Sequence, residues 1–191
     1  MIDYLISLDK QLFFFLNGLH NPWMDQVMFW ISDKKIWIPF YLVLAGWIIK
    51  TYKWKSLIFL AAIGLVITFT DQIISGFMKD YFARWRPSRD PALQNMVHTV
   101  NGYSGGSYGF ASSHSGNSFA LAMFIFLLFR EYKWTWLMFI WAGVVAYSRI
   151  YLGVHYPGDI IVGGVIGTLI AAGLYHLSRK VFQKYAKTKL H

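Results

Sequence analysis

The 191-residue chain contains no cysteine. Disulfide frameworks, zinc–thiolate centres, iron–sulfur clusters and thiol nucleophiles are therefore excluded. Charge is also scarce: Asp, Glu, Lys and Arg together make 14% of the chain, against about 25% in an ordinary soluble domain. Apolar residues fill the space, at 56% hydrophobic and 19% aromatic. A soluble domain of this size needs more polar surface than that to cover its core. Nor does any ten-residue apolar/polar alternation recur, so helices are the spanning elements that lipid allows. The chain reads as an all-α polytopic membrane helix bundle. Its formal net charge is +9, yet the 18 Lys and Arg lie between apolar stretches and in the tail rather than in one basic arm. That distribution suits membrane topology, and the spans exclude a nucleic-acid binder.

A helix needs roughly 20 residues to cross a core of about 30 Å. Five apolar runs are candidates, at about 36–50, 57–78, 115–129, 134–152 and 159–178, the first and third borrowing flanking residues. Five spanning helices in a single domain, 1–191, are expected. Residues 1–35 are apolar but interrupted by Asp9, Lys10, Asn17, His20, Asn21, Pro22 and Asp25. Each apolar piece is too short to cross, which suits an interfacial helical segment; a distorted sixth span is the alternative. No charged start, apolar core and small-residue cleavage site occur together, so a signal peptide is not expected. Alternate loops carry ten Lys and Arg on the side of the 179–191 tail and eight on the other. Three of the eight have chemical duties described next, leaving ten against five. The basic tail is then cytoplasmic, and the polar loop at 80–112 faces outward.

Three segments place ionisable residues on that outer side. In "KDYFARWRP", Lys79 and Arg86 are seven apart, two helical turns if the helix continues, and Pro87 ends it at Arg86. A snorkelling cluster at the headgroups is the plainer reading. In "GFASSHSGNSFA", Ser112 or Ser113 caps a helix whose first-turn N–H groups attract anions, with His114 beside them. In "SRIYLGVHYPGD", Arg149 is a charge near a membrane helix end, and Asp159 lies one turn beyond His155, able to fix its tautomer. Lys79, Arg86 and Arg149 match the oxygens of a phosphoryl group, and two histidines serve as nucleophile and proton donor. Asp71, inside an apolar helix two turns before Lys79, is expected to support a basic residue. The Gly- and Ser-rich stretch 101–110 suits a mobile lid. His20, His98, His176 and His191 have no evident partners.

The order and spacing of these segments resemble the three-part signature of the type 2 phosphatidic acid phosphatase superfamily. Lys79 to Arg86-Pro87 and Ser148-Arg149 to His155 and Asp159 match fully. The middle part departs, with Ala111 and Ser113 in place of the usual Pro and Gly. The resemblance implies a catalytic set of His155 as nucleophile, Asp159 orienting it and His114 as proton donor and later base. It also implies phosphate binding by Lys79, Arg86, Ser112, Ser113 and Arg149, with neither metal nor cofactor. Members in membranes generally have six spans. The implied activity is a lipid-phosphate phosphatase in the bacterial plasma membrane with its site on the outer face. Its substrate classes are phosphatidate, phosphatidylglycerol phosphate, undecaprenyl diphosphate and lipid A, of which undecaprenyl diphosphate fits an outward site. A lipid phosphotransferase using the same phosphohistidine is the second expectation. A non-catalytic anion or lipid transporter would need more polar residues along the helices, and a soluble vanadium haloperoxidase is contradicted by the apolar runs.

Overall fold

The computed structural model describes residues 2–187, and side chains over 3–185. The end of the basic tail, residues 188–191 with Lys189 and His191, lies outside the described residues. Helices α1 (Ile2–Asn17) and α2 (Pro22–Ser32) form an N-terminal pair, followed by α3 (Ile38–Tyr52) and α4 (Ser56–Asp71). A π-helical stretch, Gln72–Met78, carries α4 into the short α5 (Lys79–Phe82). After a long loop come α6 (Ser113–Leu128), α7 (Leu137–Tyr151) and α8 (Pro157–Lys187). Among the described residues the only extended pairing is an isolated bridge between Trp85 and Tyr108.

Local chemistry sets these boundaries. Asn21 caps α2 by accepting from the Met24 N–H, with Pro22 in the first turn. Ser112 caps α6 in the same way, accepting from Ser115. Among the described residues two stretches are long and apolar enough to cross a membrane, Lys34–Phe82 and Pro157–Tyr185. The first is not one rod: Lys53 takes a positive φ, and Leu44 and Ile48 of α3 line the same cavity as Leu60 and Ile63 of α4. The chain therefore doubles back at residues 53–55. The five expected apolar runs coincide with α3, α4 and its continuation, α6, α7 and α8. Helix α8 runs on through Lys187, so residues 179–187 of the expected tail are helical.

The core packs α6 against α8, α7 and α4, around Phe59, Phe124, Phe129 and Ala171, all fully buried. Between α6 and α8 the backbones touch. A Cβ on Gly163 would run into the Ser112 carbonyl, and one on Gly167 into that of Gly116. Glycine is required there for approach, a device common to helices that associate within lipid. The α1–α2 pair sits over one end of this bundle. Buried Asn17 donates to the carbonyls of His98, Ile150 and Tyr151, at 3.1, 3.1 and 2.9 Å, tying the pair to α7 and the long loop. The outer faces of α1 and α2 expose Leu5, Leu8, Phe15 and Trp23.

Candidate active site

The long loop begins where Ala83 adopts a left-handed conformation and ends α5 at Phe82. The helix therefore does not continue to Arg86, contrary to the expectation from spacing. Lys79 and Arg86 do not share a helical face. Arg86 is extended, as the following Pro87 demands, and its N–H donates to the Ser107 carbonyl. The loop folds it back so that Nε donates to the Tyr108 carbonyl at 3.0 Å and Nη1 to that of Val154 at 3.4 Å. Buried in this way, its guanidinium reaches His155 Nε2 at 3.3 Å.

His155 follows the turn after α7 and is 2% exposed. A guanidinium only donates, so Nε2 turns its lone pair toward Arg86 and the ring proton sits on Nδ1. That nitrogen faces Asp159 Oδ2 at 3.5 Å. Burial, reinforced by Arg86, Arg149 and Lys79, holds the imidazole well below its ordinary range and keeps it neutral. Asp159 is fully buried in the first turn of α8. Its Oδ2 accepts from the Tyr156 N–H at 2.9 Å and its Oδ1 from Arg84 Nη1 at 2.9 Å. Arg84 also pairs with Asp9 of α1 at 2.7 Å and lies over the Tyr156 ring. Asp9 in turn accepts from the Gly158 N–H at 2.7 Å. The Asp159 carboxylate thus meets the Tyr156 N–H, Arg84 and His155, and Asp9 braces Arg84 from behind.

The second segment divides its labour. Ser112 is fully buried, donates its N–H to the Asp159 carbonyl and uses its hydroxyl as the cap. Both groups serve the fold, joining α6 to α8. Ser113 opens α6, and its hydroxyl lies 2.6 Å from that of Ser75 and accepts from Lys79 Nζ at 3.1 Å. Lys79 also donates to Ser75, whose hydroxyl donates to Asp71 at 3.3 Å. Asp71 therefore reaches Lys79 through Ser75. Ser113 and His114 open α6, where backbone N–H groups lack intrahelical acceptors and favour an anion.

Arg149 is 2% exposed near the end of α7. It donates to the Ser32 hydroxyl at the end of α2 and to the Tyr103 hydroxyl at 2.9 Å. Tyr103 belongs to the Gly- and Ser-rich stretch, which packs against the site. A Cβ at Gly105, where φ is +64°, would meet Arg86 Nη1 at 2.9 Å, and one at Gly109 would lie 3.4 Å from Asp159 Oδ2. His114 lines the end of a cavity of about 370 Å³ between α3, α4, α6 and α7, whose walls are Leu44, Ile48, Ile63, Leu121 and similar residues. Through His114 the second segment borders this mostly apolar chamber.

All three expected segments contribute to one centre. Residues that sequence reasoning missed are Arg84, Asp9, Ser75, Ser32 and Tyr103. Arg84 stands inside the first motif, but both of its carboxylate partners are 75 positions away, and no local spacing reveals such pairs.

Comparison with known proteins identifies the family. The PAP2 superfamily model matches residues 54–183. The chain is 39% identical to the lipid A 4'-phosphatase of Bacteroides thetaiotaomicron over 183 residues, covering 95% of this chain and 81% of that protein. With the lipid A 4'-phosphatase of Porphyromonas gingivalis it shares 36% identity over 175 residues, 91% of this chain and 74% of the relative. The crystal structure of the transmembrane PAP2-type phosphatidylglycerolphosphate phosphatase from Bacillus subtilis has the same fold, with a TM-score of 0.65 at 23% identity over 93% of this chain and 88% of that one. Motif, helix order and relatives converge: the chain belongs to the PAP2 superfamily, and it is a phosphoric ester hydrolase.

Proposed function

We propose that this lipid phosphatase removes a phosphate from a lipid A-type glycolipid, through a phosphohistidine formed on His155. The observation that carries the mechanism is the pairing of a donor-only guanidinium with His155 Nε2 at 3.3 Å. It leaves a neutral, correctly protonated imidazole beside a cation able to hold the phosphoryl oxygens.

In the first step Nε2 attacks phosphorus in line, and the bond from phosphorus to the lipid oxygen breaks. Charge gathers on the equatorial oxygens, where Lys79, Arg86, Arg149 and the first-turn N–H groups of α6, Ser113 among them, stabilise it. The hydroxyls of Ser75 and Ser113 steer Lys79 toward those oxygens. As Nε2 bonds to phosphorus the ring becomes cationic, and Asp159, fixed by Tyr156 and Arg84, compensates that charge through Nδ1–H. His114 protonates the leaving oxygen. In the second step His114 takes a proton from water, the water oxygen attacks phosphorus, and the P–N bond breaks to release inorganic phosphate and neutral His155. Ser112 contributes by joining α6 to Asp159 rather than by offering a free N–H.

The two relatives above 30% identity favour lipid A over the undecaprenyl diphosphate expected from an outward site. The apolar cavity ending at His114 supports any such lipid, since it can receive an acyl chain while the headgroup meets the cations. In this reading α3, α4 with its continuation, α6, α7 and α8 span the bilayer, giving five spans. The exposed apolar faces of α1 and α2 rest in the interface. The uneven Lys and Arg distribution supports a site on the outer face of a bacterial plasma membrane.

The test is phosphate release by detergent-purified protein from lipid A, undecaprenyl diphosphate and phosphatidylglycerol phosphate, with EDTA present. Release from lipid A ahead of the other two, lost in His155→Ala, is the expected result. Preference for another lipid would overturn the substrate assignment alone. Consumption of lipid phosphate without free phosphate would point to transfer onto a second lipid.

A further inference from the structure

A second cluster of ligating side chains lies on the same end of the molecule, outside the phosphate centre. His20 is in the turn between α1 and α2, Asp25 is in the first turn of α2, and His98 is in the long loop. Their ligating atoms all lie within 4.8 Å of one another. His98 Nε2 is 2.9 Å from Asp25 Oδ1, and the rings of His20 and His98 stack in parallel at 3.8 Å. We propose that His20, Asp25 and His98 form a binding site for a divalent transition-metal ion of the Zn²⁺ type, which fastens the N-terminal helix pair to the active-site loop.

The donor set is two imidazoles and one carboxylate, which suits Zn²⁺ and its neighbours rather than Mg²⁺ or Ca²⁺. A tetrahedral ion with bonds of about 2.0–2.2 Å places its ligand atoms roughly 3.3–3.5 Å apart. The Asp25–His98 pair is already near that spacing. His20 is exposed, so an ångström-scale turn of its ring closes the set and leaves the fourth position to water. The cation takes the place of the hydrogen that His98 Nε2 and Asp25 now share, and that hydrogen moves to Nδ1 or to solvent.

The groups behind these ligands are already held, as metal sites require. The Tyr151 hydroxyl donates to Asp25 Oδ1 at 2.7 Å, and Asn17 accepts from the His98 N–H at 2.9 Å while donating to its carbonyl. Tyr151 is two residues from Arg149 and four from His155. An ion here therefore cross-links α1–α2, the loop and the end of α7 without touching the phosphate. The inference rests on this cluster alone and does not depend on which lipid is hydrolysed.

The experiment uses tag-free full-length protein in detergent, treated with EDTA and desalted. Zn²⁺ is titrated by calorimetry, Co²⁺ by visible absorption, and thermal unfolding is followed with and without Zn²⁺. One saturable equivalent, tetrahedral Co²⁺ bands and a raised unfolding midpoint are expected. Loss of a ligand costs no less than the roughly 10–100-fold in affinity typical of an outer partner, so His20→Ala and His98→Ala both weaken binding by at least that. His20 is exposed and its removal leaves the core intact, so that variant remains informative even if His98→Ala unfolds. Absence of saturable binding, a midpoint unmoved by Zn²⁺, or wild-type affinity in His20→Ala would overturn the proposal.

Discussion

Arg86 Nη1 lies 3.3 Å from His155 Nε2, and in the mechanism proposed above this contact joins phosphate binding to the nucleophile. The guanidinium cannot accept a hydrogen bond, so it favours the tautomer whose Nε2 lone pair faces Arg86. In the proposed mechanism, phosphate engages the same guanidinium and so frees the lone pair for attack.

The first prediction concerns that lone pair. His155→Ala removes the bond-forming atom, and kcat falls by at least about 10³-fold, as for loss of a catalytic nucleophile. Brief incubation with radiolabelled lipid phosphate followed by alkaline quenching leaves acid-labile label on the wild type and none on the variant. An equally labelled variant would move the covalent step elsewhere.

Arg84 is a positioning residue: it touches Asp159 and Asp9 and not the reacting atoms. Arg84→Gln leaves the buried Asp159 Oδ1 without its charged donor, a cost of about 1–3 kcal/mol, or roughly 5- to 150-fold in rate. The loss is expected in kcat with KM little changed, and Arg84→Lys recovers part of it. A rise in KM at constant kcat would instead make Arg84 a substrate ligand.

These residues differ in how readily sequence reveals them. His155 and Asp159 are one helical turn apart, and Ser112 to His114 are adjacent, so local spacing exposes both. Arg149 and Ser32 are 117 positions apart, and their meeting depends on how α2 packs on α7. Pro87 sets only an outer limit for α5, and the chain breaks earlier, at Ala83, without a glycine to announce it. In the N-terminal segment, the polar residues that interrupt the apolar pattern are the ones that make contacts. Asp9 serves Arg84, Asn17 serves α7, and His20 and Asp25 meet His98. Interruption was legible there, but its tertiary purpose was not.

The pH dependence of stability follows from His155. In the unfolded chain its imidazole takes up a proton near pH 6.5, whereas burial and the cations around it keep the native ring neutral far below that. The unfolded state therefore binds more protons, and the stabilisation present above about pH 6.5 is lost as pH falls, at up to about 1.4 kcal/mol per pH unit. Between pH 7 and 5 the unfolding midpoint of the wild type should drop more steeply than that of His155→Gln. Parallel curves would show that the native ring titrates normally.

The last prediction tests the seam that brings Ser112 to Asp159. The Ser112 N–H reaches the Asp159 carbonyl at 3.0 Å because α6 and α8 lie backbone to backbone, and Gly163 and Gly167 leave no side chain between them. At Gly167 an added methyl meets a carbonyl, which cannot swing aside as a flexible side chain would. Gly167→Ala must therefore push the helices apart, at a cost of about 1–3 kcal/mol typical of overpacking. Because His114 and His155, the two histidines of the proposed mechanism, lie on either side of this seam, activity should fall along with thermal stability. Gly173 is on the same helix with open space around its Cβ position, so Gly173→Ala should leave both unchanged. A Gly167→Ala protein as stable and active as Gly173→Ala would mean that close approach of α6 and α8 does not set the geometry of the site.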